Sequence, residues 1–127
     1  MKKLDNTLMI SFHFINLILI SLYLYPGSIF GHVVYGDLTI QPQITRDFVI
    51  SSNHFYAFFF LSTLGILAFR NSNKINILIK YLFSISIILE LTHFVISQRD
   101  FELRDLFGNI LGVIIVIIIY KIKKKNV

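Results

Sequence analysis

Four long apolar runs separated by three polar breaks set the layout of this chain. The runs cover about residues 7–25, 48–69, 75–97 and 102–122. At ~1.5 Å of rise per residue, a helix crosses the hydrocarbon core of a bilayer in about 20 apolar residues. Each run therefore predicts one membrane-crossing helix. The first is stopped by Pro26-Gly27, and the last carries the β-branched stretch 113–119. Such a stretch suits a strand in water, but in lipid only a helix satisfies its own backbone hydrogen bonds. No internal repeat or low-complexity linker divides the chain. The expected fold is all-α: a single domain, residues 1–127, forming a four-span transmembrane helical bundle.

The break at 28–46 is long, and unstructured loops of this length are uncommon unless functional. Gly36-Asp37, between 32–35 and 38–40, predicts a short hairpin or an interfacial lid, with Pro42 ending any regularity. The break at 98–102 is tight, so the third and fourth spans must be antiparallel neighbours.

Composition sharpens this picture. Of 127 residues, 55% are hydrophobic, above the ~45–50% of ordinary soluble domains. There are 13 Phe, no Trp and no Cys. The lack of cysteine excludes disulfides, thiolate metal sites and cysteine nucleophiles. The net charge is +5, with Lys121, Lys123, Lys124 and Lys125 beside the last apolar run. A basic tail in that place suits anionic lipid at a cytoplasmic surface, and no soluble domain remains to bind nucleic acid. Lys2 and Lys3 precede the first run, but Tyr25-Pro26-Gly27-Ser28 offers no A-x-A-like cleavage site, so the first span is expected to stay uncleaved. In a four-span topology Lys2, Lys3, Arg70, Lys74 and the lysine tail share one side. Arg46, Arg99 and Arg104 lie on the other. The positive-inside rule then places both termini in the cytoplasm and the 28–46 and 98–102 connections outside.

Polar residues inside the runs converge on the outer side. Counting from the expected span ends, His54, Glu90 and Asn109 lie about 9–10 Å deep on three different helices. His93 and Asp105 sit about a turn higher, and Arg99 can fold inward from the tight connection. Glu90 and His93 share a helix face, as do Asp105, Asn109 and Gly112. Gly108-x-x-x-Gly112 permits close approach of a neighbouring helix. His13 and Asn16 share a face of the first span and suit interhelical hydrogen bonding. One reading of the outer cluster is structural, with Arg99 neutralising Glu90 and Asp105. The other is a site, since intramembrane carboxylates with His and Arg nearby are costly to keep.

Familiar chemistries are absent. There is no phosphate-cradling glycine loop and no G-x-S-x-G. Glu90-x-x-His93 is in the reverse order of the zinc H-E-x-x-H, and di-iron bundles need a second such pair. His54, His93 and Glu90 could hold one metal between them, but three scattered ligands are a weak signal. No metal and no cofactor is expected.

The run Glu90-Leu-Thr-His93, Arg99, Asp105, Asn109 and Gly112 resembles the signature of the VanZ-like family, with spacing that agrees without a gap. His54-Phe55-Tyr56-Ala57-Phe58 is similar to the His-Phe segment that opens that family's second span. The resemblance covers nearly the whole chain. Three positions depart from it. Ile50-Ser51 stands where an Asp-Lys pair is common, Ser97 where Pro is frequent, and His93 where Gln is frequent. The resemblance implies a small integral protein of the bacterial inner membrane, related to a teicoplanin-resistance accessory protein of the cell envelope.

The expected function is binding of a polar or anionic envelope component, a lipid head group or lipid-linked glycan, in an outward-facing pocket between the second, third and fourth spans. Arg99 would pair the anion. His54 and His93 would donate hydrogen bonds, Asn109 would orient them, and Glu90 and Asp105 would position Arg99 or accept hydroxyls. A membrane-embedded hydrolase or transferase with Glu90 or His93 as general base is one alternative. A structural partner of an envelope complex, docking through Gly108/Gly112 or the Phe-rich second span, is another.

Overall fold

The computed structural model describes residues 2–126, with side chains from residue 4 onward. The side chains of Lys2 and Lys3, used above for orientation, lie outside the described residues. The chain forms five α-helices and one 3-10 turn: α1 (Lys2–Leu24), α2 (Ile29–Tyr35), α3 (Ser52–Phe69), α4 (Ile75–Leu91), the turn Thr92–Phe94, and α5 (Leu103–Lys125). Four helical stretches are long and apolar enough to cross a membrane: Leu4–Leu24, Ser52–Phe69, Ile75–Phe94 and Leu103–Lys125. The expected all-α four-span bundle is observed.

The spans run up, down, up, down. Tyr23 near the end of α1 meets His54 near the start of α3, while Phe12 meets Phe69 at the opposite end. Asn109 near the start of α5 reaches Ser86 near the end of α4. The N-terminal end of α1 and the C-terminal end of α5 therefore lie at one end of the bundle, and the polar cluster lies at the other. Large apolar side chains such as Ile10, Phe14, Leu17, Ile77 and Ile118 point outward on the spans. Apolar cover of this extent suits lipid, where helix association rests on close packing and hydrogen bonding rather than on expulsion of water.

Close packing is tightest between α3 and α5. A Cβ added at Gly112 would stand 2.7 Å from the Phe55 carbonyl oxygen and 2.8 Å from the Phe59 nitrogen. One added at Gly108 would stand 2.8 Å from the Ser51 carbonyl oxygen. The glycine face that was a candidate docking surface is thus filled by the chain's own α3. Part of the Phe-rich helix is used in the same way, since Phe58 is fully buried. Leu61, Leu82 and Val113 complete the central layer. Asn16 donates to the Tyr81 hydroxyl of α4. His13 faces outward beside Phe69, so the two polar residues of the first span do not act as a pair.

Two boundaries differ from the expected spans. The second begins at Ser52 rather than near 48, because polar side chains hold the preceding segment in an irregular path. Asp47 Oδ1 accepts from the Ser52 N–H at 2.9 Å. Asn53 accepts from the Ile44 N–H and donates to the Pro42 carbonyl. These bonds satisfy the loop backbone without regular structure. The third span's α-helix ends at Leu91, where Thr92 Oγ1 takes the Leu89 carbonyl at 2.6 Å and the chain tightens into the 3-10 turn.

The 28–46 segment is not a hairpin. It opens with the short helix α2, about two turns long, capped by Ser28 Oγ, which accepts from the Gly31 N–H at 2.9 Å. The chain then crosses back over α2 so closely that a Cβ on Gly31 would collide with the Ile40 carbonyl oxygen. The helix and this crossing strap lie over the polar end of the bundle.

Candidate functional site

The polar end is built around one amide. Asn109 of α5 is 0% exposed, and its Nδ2 donates to the Ser86 carbonyl of α4 at 3.0 Å. That bond aims Oδ1 at α1 and α3. There it accepts the Tyr23 hydroxyl proton at 2.6 Å and lies 3.1 Å from His54 Nδ1. The Tyr23 oxygen is 3.0 Å from the same nitrogen. The other ring nitrogen of His54, Nε2, lies 3.3 Å from Asp105 Oδ2. Gly108 lets α3 come close enough to α5 for His54 and Asn109 to meet.

Glu90 lies under this group and is 0% exposed. Its Oε1 accepts the Glu102 N–H at 3.2 Å and lies 3.2 Å from His93 Nδ1. His93 Nε2 donates to the Tyr23 carbonyl at 3.1 Å. An imidazole that donates from one nitrogen needs a further proton to donate from the other, so a proton must lie between His93 Nδ1 and Glu90 Oε1. Oε2 of Glu90 is 3.6 Å from His54 Nδ1 and has no hydrogen-bond partner among the described residues. The His93 ring stacks on Tyr23, with centroids 5.7 Å apart.

Arg99 does not neutralise the carboxylates. Its Nη2 donates to the Leu22 carbonyl at 2.8 Å and its Nε to the Tyr25 carbonyl at 3.1 Å. The last carbonyls of α1 lack intrahelical N–H donors and carry the negative end of the helix dipole, which attracts a guanidinium. Among the described residues Arg99 makes no ion pair, whereas Arg104 reaches Asp47 at 3.8 Å and Glu102 at 3.6 Å. Burial lowers the Arg99 pKa from its ordinary value, and Tyr23, Glu90 and Asp105 act in the opposite direction.

Two cavities open at this end. One, about 560 Å³, is mainly apolar and lies between α1, α2, the strap and α3, lined by Leu19, Leu22, Ile29, Phe30, Ala57 and Phe60 among others. The second, about 250 Å³, is polar and lined by Asp47, Ser51, Gln98, Arg104 and Asp105 among others. His54, His93 and Arg99 line both. The expected pocket walls were the second, third and fourth spans. The observed larger cavity keeps α3 and His93 in its wall and adds α1, α2 and the strap, because the 28–46 segment folds back over the bundle.

All six expected residues, His54, Glu90, His93, Arg99, Asp105 and Asn109, come together at this end. Their depths differ from the count made on span ends, since His54 is the third residue of α3 and Glu90 the penultimate residue of α4. Tyr23 is a further member that sequence reasoning missed. Phe12, Asn16, Leu19 and Tyr23 fall on one helix stripe. The polar Asn16 marks that stripe as an inner face, and this was the available signal.

Comparison with family models, curated proteins and solved structures returns no match to this chain.

Proposed function

We propose that this chain is a VanZ-like integral membrane protein that holds an amphiphile with an anionic head group at the outer face of a bacterial inner membrane. The observation that carries this reading is the meeting of an apolar and a polar cavity at His54, His93 and Arg99. A volume of about 560 Å³ falls in the range of ligand pockets, which run from about 300 to 1,000 Å³. An acyl or prenyl chain would lie against Leu19, Ile29, Ala57 and Phe60. The head group would lie toward Arg99, a guanidinium that carries no carboxylate and keeps donors beyond the two given to α1. The exposed apolar side chains of α2, Phe30, Val33 and Val34, suit contact with the lipid interface. Arg70, Lys74 and the lysine tail at the opposite end support cytoplasmic termini.

The measurement is lipid content. The full chain is purified in mild detergent and its bound lipids are identified and counted by mass spectrometry against the bulk membrane. An anionic lipid or lipid-linked glycan enriched on the wild type is expected, lowered at least about fivefold in Arg99→Ala and in the cavity-filling variant Ala57→Trp. Bulk-like lipid on the wild type, or equal enrichment in both variants, overturns the reading.

A hydrolase or transferase reading draws on the His54–Asp105 contact at the cavity wall. Glu90 lines neither cavity, so its action as a general base would pass through His54. Turnover of the enriched lipid by wild type and its loss in Asp105→Asn would favour this second reading.

A further inference from the structure

We infer that His54, Glu90 and Asp105 form a binding site for one divalent transition-metal ion of the Mn2+ to Zn2+ type. One donor atom from each residue lies within 4.8 Å of the others. Proximity alone is weak, but the hydrogen bonds around the group favour the same assignment.

The first line of argument concerns the His54 tautomer. The Ser86 carbonyl can only accept, so the amide group of Asn109 faces it and Oδ1 faces His54. The Tyr23 hydroxyl has a single proton, and this goes to Asn109 Oδ1. Both oxygens near His54 Nδ1, at 3.0 and 3.1 Å, are then acceptors. Nδ1 must carry the hydrogen, and in the neutral ring Nε2 is left with a lone pair. That lone pair lies 3.3 Å from Asp105 Oδ2, another acceptor, so a proton or a metal ion is needed between them. Two ligands held at ~2.0–2.2 Å on a tetrahedral ion stand about 3.3–3.6 Å apart. A metal-bound histidine ordinarily donates its other N–H to an oxygen acceptor, as His54 does here toward Asn109.

The second line concerns Glu90. Its Oε1 is engaged by the Glu102 N–H and by the proton shared with His93. Its Oε2 is buried without a hydrogen-bond partner among the described residues; it stands 3.6 Å from His54 Nδ1, and a donor atom of Glu90 falls within 4.8 Å of donor atoms of His54 and Asp105. A buried carboxylate oxygen left in that state is costly unless something binds it. Asp105 and Glu90, the latter already sharing a proton with His93, offset part of the charge of one dication, and Arg99 is engaged elsewhere.

The donor set is one imidazole nitrogen and two carboxylate oxygens, without sulfur. This suits Mn2+, Fe2+ or Zn2+ rather than a soft ion. Asp105 takes the place given to His93 in the sequence-based ligand trio, because His93 spends Nε2 on the Tyr23 carbonyl. His54 and Asp105 both line the polar cavity, which supplies an entry path. The site stands independently of the amphiphile reading.

The test uses the full chain in detergent, stripped with a chelator, reloaded with Mn2+ or Zn2+ and freed of excess ion. Elemental analysis is expected to show near-stoichiometric retention of at least one of the two metals. Binding should weaken at least about tenfold in Asp105→Asn and in His54→Gln, and stay unchanged in the control His32→Ala. In the Mn2+ form, spin-echo EPR should show coupling to an imidazole nitrogen that is lost in His54→Gln. Asp105 is 19% exposed at the cavity rim, so its variant should elute and melt like the stripped wild type, even if Glu90→Gln misfolds. Failure of the wild type to retain either ion overturns the assignment, as does equal retention in both ligand variants.

Discussion

His54 Nδ1 and Asn109 Oδ1 lie 3.1 Å apart, joining helices through residues 55 positions apart in sequence. Their contact ties the tightest helix pair of the bundle to the wall of both cavities. Asn109 also holds Tyr23 of α1 and the Ser86 carbonyl of α4, so one side chain links all four spans. In lipid such interhelical hydrogen bonds average about 0.6 kcal/mol and reach about 1.7.

Asn109→Leu keeps the volume but strands the Tyr23 hydroxyl and the Ser86 carbonyl. A loss of about 1–3 kcal/mol is expected from the abandoned partners. Asn109→Asp should also destabilise, because a carboxylate cannot donate to Ser86. Thermal unfolding in detergent reads both, and wild-type midpoints in the two variants would contradict the central role of this amide.

Gly112→Val tests the packing that brings His54 to Asn109. Its added Cβ meets the Phe55 carbonyl and the Phe59 nitrogen at under 3 Å, both backbone atoms that cannot rotate away. Overpacking of this kind costs about 1–3 kcal/mol, occasionally more. Faster proteolysis in detergent and a lowered unfolding midpoint are expected, with weaker lipid retention following. A variant as stable as wild type would mean that α3 and α5 separate without penalty.

Topology can be read on a clean background, since the chain has no cysteine. Ser97 and Asn73 are exposed at opposite ends of the bundle. A membrane-impermeant maleimide should label Ser97→Cys in intact cells and Asn73→Cys only after permeabilisation. The reverse pattern would place the cavities on the cytoplasmic side.

Asp37 anchors the strap over α2. Its carboxylate accepts from the Thr39 N–H at 2.8 Å and the Thr39 hydroxyl at 2.7 Å, and these bonds lower its pKa from the ordinary carboxylate value. The lowered folded-state pKa makes this contribution fully present above the unfolded value and lost as pH falls through the folded one. The NMR protection factor of the Thr39 amide should therefore hold at neutral pH and drop on acidification below the ordinary carboxylate range. In Asp37→Asn it should be reduced at neutral pH, with a much weaker pH dependence. Protection that is independent of pH in the wild type would show that another contact holds the strap.

Much of the site was legible because a membrane span makes polar residues conspicuous. His54, Glu90 and Asn109 stood out against apolar neighbours, and helical spacing placed each on a definable face. Tyr23 was hidden because tyrosine is ordinary near a span end. Arg99 does not pair with Glu90 and Asp105: residue spacing shows which acids are near a cation, but not that backbone carbonyls at the end of α1 compete for it. The 28–46 segment, for which the turn dipeptide allows a short hairpin or an interfacial lid, does not form the hairpin. Its actual path depends on Ser28, Asp47, Asn53 and the close crossing at Gly31.

Run length and apolarity alone determined the four helices, because a backbone in lipid has few other ways to pair its hydrogen bonds. The same periodicity determined that the polar residues would gather at one end. Only the tertiary structure decided which atoms meet there. The approach of α3 to α5 over Gly108 and Gly112 and the Asn109 bond to Ser86 set the outward direction of the His54 ring. The fold of the 28–46 segment over α1 then created the apolar cavity beside it. These depend on distances between residues far apart in the chain, which local propensity and spacing do not encode.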